Sequence, residues 1–189
     1  MNNSNINIAV LCGGISSERD ISINSGYSIY GQIKGDYKSE VIEYNNNFES
    51  ITNKLKTVSL VFNALHGGDG ENGNIQAVLD MNHIKYSGSG AEACQLAMNK
   101  NVSKLIVNSL GISTPKWKLL SFGGFETINS YQVDSEKISF PIVVKPNNEG
   151  STVGVSIVES EEGLEKAIEL SSQFSNQILI EEFIEGREI

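Results

Sequence analysis

Short apolar runs that alternate with a predicted helix organise the first half of the chain. Residues 6–11 and 57–65 are the kind of apolar run found in strands buried on both faces, and residues 40–44 are a third strand candidate. A helix of period 3.6 is predicted at about 18–33. Strands that alternate with helices form right-handed βαβ units, so the sequence predicts an α/β unit with a parallel sheet in residues 1–95.

Local patterns refine this first unit. Ser16 or Ser17 is a candidate N-cap for the helix at 18–33. The face of that helix expected against the sheet consists of Ile21, Ile29, Tyr30 and Ile33. A second helix that carries Ile75, Val78, Leu79 and Met81, followed by a short strand at 84–86, completes the predicted unit.

The second half of the chain has a different pattern. Two helical segments are predicted, at 91–98 and 102–110, and strands then dominate. The predicted strands lie at 117–120, 142–145, 153–158 and 177–182, and a helix is predicted at 161–171. This is an α+β pattern, and it predicts a small antiparallel sheet covered by a helix. The expected domains are therefore 1–95, 96–184 and the beginning of a further domain at 185–189.

Composition excludes several classes of protein. The net charge of −9 argues against nucleic acid as a partner, because phosphate backbones attract clustered Lys and Arg. Cys12 and Cys94 lie outside any CxxC motif, so we expect reduced core thiols in a cytoplasmic protein. No apolar run approaches the roughly 18 residues of a membrane span, and the first five residues are polar, unlike a signal peptide.

The stretch at 141–155 is the strongest sign of chemistry. An apolar strand delivers Lys145 to its end, and a flexible loop with Gly150, Ser151 and Thr152 follows. A fixed ammonium, loop N–H groups and hydroxyls together suit a triphosphate, and the loop resembles a lid that excludes water. Lys100 is a second lysine expected at the same nucleotide. Lys104 and Lys166 are expected to be solvated surface lysines.

Two polar residues at predicted strand ends are candidates for binding a small molecule. Glu18 lies near a helix start, where the helix dipole favours a carboxylate that can receive a substrate ammonium; it can equally be a first-turn residue that stabilises the helix. His66 opens a loop with glycines at 67, 68, 70 and 73, which permit positive φ and close approach to a ligand. A structural role for His66 and a turn-forming role for the glycines remain alternatives.

Two further segments admit more than one interpretation. Residues 178–184 look like an edge strand whose backbone reads an adenine while Phe183 and Ile184 cover the ring, or like an ordinary amphipathic strand. Gly88-Ser89-Gly90 matches part of a dinucleotide fingerprint, but no acidic residue follows at the distance that a ribose contact needs. We interpret it as a turn between domains.

These segments together resemble the D-alanine–D-alanine ligase family of the ATP-grasp superfamily, over residues 8–189. The motifs that carry the resemblance occur in the family's order: Leu11-Cys12-Gly13-Gly14 to Arg19, His66-Gly67 to Gln76, Ser87-Gly88-Ser89-Gly90 to Lys100, Val144-Lys145-Pro146 to Gly154, and Glu181 to Glu188. The departures are mild, with Asn72 and Asn99 where aspartate is usual and Thr152 in place of a serine. The resemblance implies a parallel-sheet pre-ATP-grasp domain followed by a small ATP-grasp domain.

The resemblance also implies a reaction and its residues. ATP phosphorylates the carboxylate of a first D-alanine, and the amine of a second attacks the acyl phosphate to give D-alanyl-D-alanine for peptidoglycan. Glu18 would hold the first ammonium with His66 nearby, and Ser151 would link Glu18 to the closing loop. The positions assigned to ATP are Lys100, Lys145, Gly150, Ser151, Thr152, Glu181, Phe183, Ile184 and Glu188.

By the same resemblance the Mg²⁺ ligands, the transition-state arginine and the loop that selects the second substrate lie beyond Ile189. We therefore expect a fragment that lacks the C-terminal catalytic part and does not turn over, and a homodimer formed through the N-terminal domain. Two alternatives remain: a non-catalytic nucleotide- or amino-acid-binding module, and an ATP-grasp ligase that takes D-lactate or D-serine as its second substrate.

Overall fold

A three-stranded parallel sheet of order β2-β1-β3 organises the first of two units, Met1–Gln95. The structure is a computed structural model and describes residues 6–122 and 138–187. The elements of this unit are β1 (Asn7–Gly13), α1 (Arg19–Ile33), β2 (Lys38–Tyr44), α2 (Phe48–Leu55), β3 (Leu60–Asn63) and α3 (Asn74–Met81). The next helix, α4 (Ala91–Met98), contains the boundary to the second unit.

The central strand β1 is buried on both faces, as its apolar run predicts. Side chains alternate along a strand, so Ala9 and Leu11 enter one core with residues of β2, α2 and α3. Val10 and Cys12 enter a second core against α1. The predicted α/β unit with a parallel sheet is confirmed.

The face of α1 that meets the sheet agrees with the prediction at Ile29, Tyr30 and Ile33, which pack against the second core, but not at the start of the helix. Ile21 is 53% exposed, whereas Ser22 and Gly26 are buried. The Ser22 hydroxyl donates to the Ala64 carbonyl (2.7 Å) and accepts from the Gly13 N–H (2.9 Å), so a small polar residue joins α1 to two strand ends. The helix lies too close to the sheet at this point for a large apolar side chain.

Other local expectations are also corrected. Neither Ser16 nor Ser17 is the N-cap of α1: the N-cap residue is Glu18, and its side chain makes no capping hydrogen bond to the first turn of the helix. The short strand predicted at 84–86 is a single parallel bridge between Val61 and Tyr86. Met81, expected on the apolar face of α3, is 81% exposed.

An antiparallel sheet of order β4-β7-β5-β6 organises the second unit, Leu96–Ile189. Its elements are α5 (Lys100–Ser109), β4 (Trp117–Ser121), β5 (Ile142–Pro146), β6 (Ser156–Val158), α6 (Leu164–Ser172) and β7 (Gln177–Glu182). The helix α6 follows a 3-10 turn and packs on one face, where Ala167 meets Ile142, Val144 and Ile180. The antiparallel sheet with a covering helix is confirmed.

The strand β7 is not an edge strand, contrary to the sequence prediction. It pairs with β4 on one side and with β5 on the other. The N–H of Glu182 donates to the Lys116 carbonyl (2.9 Å), and the N–H of Phe183 donates to the Pro141 carbonyl (3.2 Å). The backbone up to Phe183 is therefore engaged in the sheet, and the proposed reading of adenine by an edge of β7 is wrong for these N–H groups.

Both cysteines are free thiols, but Cys12 alone lies in a core, since Cys94 is partly exposed. Over residues 6–122 and 138–187, every helix is too short or too polar to cross a membrane. The same residues contain no cluster of three or more His, Cys, Asp or Glu side chains placed to hold a metal ion.

Candidate functional site

Two loops at the carboxyl ends of β1 and β3 meet in the first unit. The Ser16 hydroxyl donates to the His66 carbonyl (2.7 Å) and accepts from the Glu18 N–H (3.2 Å). Gly67 adopts a φ of 65°, and a Cβ at this position would lie 2.6 Å from the Glu18 carboxylate oxygen Oε2. The Glu18 carboxylate therefore lies directly against the backbone of the glycine loop, and Gly67 has to be glycine.

His66 is oriented by its own backbone. Its Nδ1 lies 3.0 Å from the Ala64 carbonyl oxygen, which can only accept, so the neutral ring carries its proton on Nδ1. The lone pair is then on Nε2, which accepts a hydrogen bond from an ammonium or hydroxyl. Glu18 and His66 thus lie on two loops that contact each other, and their roles toward a substrate stay a prediction.

A hydrogen-bond chain anchors the glycine loop to the sheet. Asp69 accepts from the hydroxyl of the buried Tyr44 (2.7 Å) and from the amide of Asn74 (2.8 Å). Burial, followed by the Asp69 hydrogen bond and charge, raises the pKa of Tyr44 well above its usual range. Gly70 is also fixed, because a Cβ there would lie 2.3 Å from the Leu65 Cβ. The loop is held in a defined conformation, and its glycines allow close packing as well as tight turns.

In the second unit, strand pairing brings Lys145 and Glu181 together. Glu181 lies opposite Val143 on β5, and Lys145 is two residues further along the same face. The Lys145 ammonium forms an ion pair with the Glu181 oxygen Oε1. Trp117 lies opposite Glu181 on the other neighbouring strand, so all three residues share one face of the sheet.

Lys104 of α5 joins the same carboxylate, which sequence reasoning missed. It is 8% exposed, and its ammonium lies 2.9 Å from the Glu181 oxygen Oε2. It also donates to the Thr114 hydroxyl (2.7 Å) and lies 4.9 Å from the centroid of the Trp117 ring. The expectation that Lys104 is solvated is wrong, because α5 turns this side chain onto the sheet.

Lys100 lies one helical turn before Lys104 and faces the loop after β5. Its ammonium donates to the Glu149 carbonyl and lies 3.5 Å from the Asn147 carbonyl. Burial and then the charge of Lys145 lower the pKa of Lys100, while Glu149 and Glu181 oppose them. Lys104 and Lys145 are thus paired with Glu181, and Lys100 is close enough to be affected by the charges of Lys145, Glu149 and Glu181. Three clustered ammonium groups suit an anionic ligand.

The fully buried Asn147 connects α5 to the sheet. Its side-chain oxygen accepts from the Asn101 N–H (2.9 Å), and its amide nitrogen lies within 3.1 Å of oxygens of Asn99, Asn148 and Gln177. Trp117 is tied to the same helix, because its indole N–H donates to Asn101 (2.9 Å). This network holds the N-terminus of α5, and with it Lys100, beside the end of β5.

The turn after β5 carries backbone strain at two predicted site residues. Ser151 and Thr152 have φ values of 48° and 59°, a region that residues with side chains rarely adopt. Strained conformations of this kind cluster at ligand clamps and switch segments. Gly150, which precedes them, is exposed.

The remaining predicted residues follow β7. Phe183 is 36% exposed and Ile184 is 63% exposed, so both present apolar surface beyond the strand. Glu188 lies outside the described residues. Of the predicted residues, the structure therefore brings Lys100, Lys145 and Glu181 together. Lys104 and Asn147 also belong to this cluster, and Glu188 is not described. The helical spacing of Lys100 and Lys104 was the signal that could have revealed Lys104.

The comparisons with known proteins agree with this description. The family model described as D-ala D-ala ligase N-terminus matches residues 39–89, and the model described as D-ala D-ala ligase C-terminus matches residues 106–189. A D-alanine–D-alanine ligase of Carboxydothermus hydrogenoformans is 40% identical over 186 residues, covering 96% of this chain and 59% of the relative. D-alanine–D-alanine ligase B of Clostridium perfringens is 39% identical over 183 residues, with the same coverage.

A solved structure extends the similarity to the fold. The crystal structure of D-alanine–D-alanine ligase from Bacillus anthracis complexed with ATP superposes with a TM-score of 0.83 at 34% identity. The matched region comprises 96% of this chain and 60% of the Bacillus anthracis chain. The chain thus spans about three fifths of the length of the relatives that it matches. The sequence motifs, both family models and this ATP-grasp fold together place the chain in the D-alanine–D-alanine ligase family.

Proposed function

We propose that the protein is an ATP-dependent ligase that joins two D-alanines. The γ-phosphoryl group of ATP passes to the carboxylate of the first D-alanine, giving ADP and an acyl phosphate. The amine of the second D-alanine attacks the acyl carbon, and phosphate leaves with formation of the peptide bond. The names of the relatives and the ATP in the Bacillus anthracis structure support the reaction class.

The observation that carries the proposal is the cluster of three lysines, Lys100, Lys104 and Lys145, at Glu181. We assign Lys100 and Lys145 to the phosphates of ATP, because the Lys100 ammonium binds the Glu149 carbonyl next to the strained turn at 150–152 and is close enough to Lys145 to be affected by its charge. Ammonium donors fit phosphate oxygens, so the residues present suit the nucleotide. Gly150, Ser151 and Thr152 are assigned to the segment that closes over the phosphates.

The base and ribose are assigned to residues at and after the end of β7. Glu181 accepts from the exocyclic amine of adenine, and Phe183 and Ile184 cover the ring with the apolar surface that they expose. Glu188 is assigned to the ribose hydroxyls. Mg²⁺, when bound with the nucleotide, would neutralise phosphate charge during transfer.

The first D-alanine is assigned to the loops of the first unit. The Glu18 carboxylate receives the substrate ammonium, and His66, with its lone pair on Nε2, accepts a further hydrogen bond. Catalysis then depends mainly on positioning and on neutralising charge, as in phosphoryl transfer generally.

A nuclear magnetic resonance titration of the ¹⁵N-labelled chain tests the substrate assignments separately. We expect D-alanine to shift the amides of Glu18, His66 and Gly67, and L-alanine to shift them far less. Absence of saturable shifts there would contradict the assignment of Glu18.

The absence of turnover in the 189-residue chain stays a prediction. A coupled assay of ADP release tests it, with and without D-alanine. Release that depends on D-alanine would contradict the prediction while supporting the reaction itself.

We also propose a cytoplasmic homodimer formed through Met1–Gln95. Ile15, Ile21 and Tyr27 are each more than half exposed and supply apolar surface around the start of α1, and the free thiols suit a reducing compartment. Sedimentation equilibrium tests the dimer: a monomer mass at high concentration would contradict it.

A further inference from the structure

The Glu181 carboxylate has two different lysine partners. Lys145 binds Oε1, and Lys104 binds Oε2 at 2.9 Å. The carboxylate itself is almost enclosed, because Glu181 is 8% exposed. A carboxylate so buried is costly unless it is paired and hydrogen-bonded.

The two lysines differ in how freely their side chains can move away from the Glu181 carboxylate. The Lys145 side chain is 21% exposed, against 10% for that of Lys104. Lys104 is also held by the Thr114 hydroxyl (2.7 Å) and lies over the Trp117 ring at 4.9 Å. The Lys104 ammonium thus has two hydrogen-bond partners and an aromatic ring beside it, and the side chain has little room to turn toward a ligand.

We propose that Lys104 is a positioning residue, the resident counter-ion of Glu181, which allows Lys145 to transfer its ammonium from Glu181 to a ligand phosphate. This inference rests on the proposed role of Lys145 at the nucleotide phosphates. While Lys104 stays in place, the move of Lys145 leaves the buried carboxylate paired. Without Lys104, the same move leaves the buried negative charge of Glu181 unpaired.

Two further observations support this division of roles between Lys104 and Lys145. Trp117, on which Lys104 lies, is itself fixed by its hydrogen bond to Asn101 (2.9 Å). Burial lowers the pKa of Lys104, and the hydrogen bond and charge of Glu181 oppose that effect. The pair is therefore mutually dependent: each charge stabilises the other inside the unit.

The test uses inorganic tripolyphosphate as the probe, because it reports on the phosphate site without any contribution from adenine. Dissociation constants are measured by nuclear magnetic resonance titration of the 189-residue chain. We expect Lys104→Met to raise the constant by about tenfold or more, since Lys145 then remains with Glu181. Lys166→Met, which removes the same charge from an exposed position on α6, should change it by less than about twofold.

A double variant separates positioning from simple support. Lys104→Met/Glu181→Gln has the net charge of the wild type, and it has no carboxylate at position 181 that could be left without a counter-ion. It should therefore bind tripolyphosphate with a dissociation constant within about threefold of the wild-type value. Binding by the double variant that is no tighter than that of Lys104→Met would overturn the inference, because it would show that Lys104 only supports the fold. If Lys104→Met does not fold, the double variant decides alone: a constant raised by about tenfold or more relative to wild type would overturn the inference.

The proposed function is distinguished by a parallel titration of the wild type with ATP and Mg²⁺. Tripolyphosphate binding that follows the expected pattern, without any binding of ATP, would contradict the nucleotide site and leave the phosphate inference standing. Absence of tripolyphosphate binding by the wild type would overturn the inference directly.

Discussion

A Cβ atom at Gly26 would lie 2.6 Å from the Cβ atom of Cys12, a separation that real side chains do not reach. Gly26 is in the middle of α1, and Cys12 is on the central strand β1. The Cys12 Sγ would also be too close, at 2.9 Å. The absence of a side chain at Gly26 therefore sets how closely α1 lies on the sheet, and with it where the first turn of α1 presents Glu18.

The first prediction follows from this contact. Gly26→Ala should lower the free energy of unfolding by about 2 kcal/mol, because α1 must move away from β1 to admit a methyl group. Gly31→Ala is a matched control in the same helix, since a Cβ there meets nothing within 4 Å. It should raise stability by about 0.5 kcal/mol, because alanine has the higher helix propensity. Urea unfolding measures both, and equal effects of the two substitutions would contradict the close packing.

Gly67→Ala should impair the amino-acid loops. The methyl group would meet the Glu18 carboxylate at 2.6 Å, and the φ of 65° disfavours any side chain. We expect the dissociation constant for D-alanine to rise by about tenfold or more. Gly35→Ala, where a Cβ meets nothing within 4 Å, is the control. Unchanged D-alanine binding by Gly67→Ala would separate Glu18 from the substrate.

Asn147→Ala should destabilise the second unit by about 3 kcal/mol, because the Asn101 N–H and the side chains of Asn99 and Gln177 lose a buried partner. Asn148→Ala removes an exposed side chain from the same network and should cost less than about 1 kcal/mol. Chemical denaturation with the Trp117 fluorescence as the probe compares them. A similar small cost for both would argue against a central role for Asn147.

Cys12 should make stability fall at alkaline pH. Burial, followed by the charge of Glu43, raises the pKa of the thiol from 9.0 to about 11. Between these values the unfolded chain loses the thiol proton before the folded chain does. The contribution of the protonated Cys12 thiol to the free energy of unfolding is therefore complete below pH 9 and is lost as the pH rises through about 11. The total loss is about 3 kcal/mol.

Unfolding curves from pH 8 to pH 11 test this effect by difference. Cys12→Ala should lose less stability than wild type over that range. Burial and then the charge of Glu71 also raise the pKa of Cys94, so Cys94→Ala should differ from wild type in the same direction but by a smaller amount. Parallel curves for wild type and Cys12→Ala would show that Cys12 does not contribute. The same difference predicts that a thiol reagent modifies Cys94, which is partly exposed, before the buried Cys12.

Sequence patterns were sufficient for the elements whose signal is local. The run at 6–11 became β1, and the glycine-rich segment from His66 became a loop against Glu18. The helix α2, at Phe48–Leu55, was not predicted; the signal overlooked was Asn47, whose side chain accepts from the Ser50 N–H (2.9 Å) and caps it.

Features that depend on distant pairing could not be predicted in the same way. The central position of β7 follows from its pairing with β4 and β5, which the residues of β7 do not encode by themselves. The burial of Lys104 depends on the same pairing, because that pairing places Glu181 and Trp117 side by side beneath α5. Identical amphipathic patterns are compatible with a solvated lysine and with a buried one.

The most direct test of the central claim, that the lysines around Glu181 form the nucleotide site, is a titration of the ¹⁵N-labelled chain with ATP and Mg²⁺. We expect saturable shifts at Lys100, Lys145, Gly150 and Glu181, with a dissociation constant on the order of 1 mM. Lys145→Gln should abolish the saturation while Lys166→Gln preserves it. Shifts confined to Met1–Gln95, or saturation that survives Lys145→Gln unchanged, would contradict the claim.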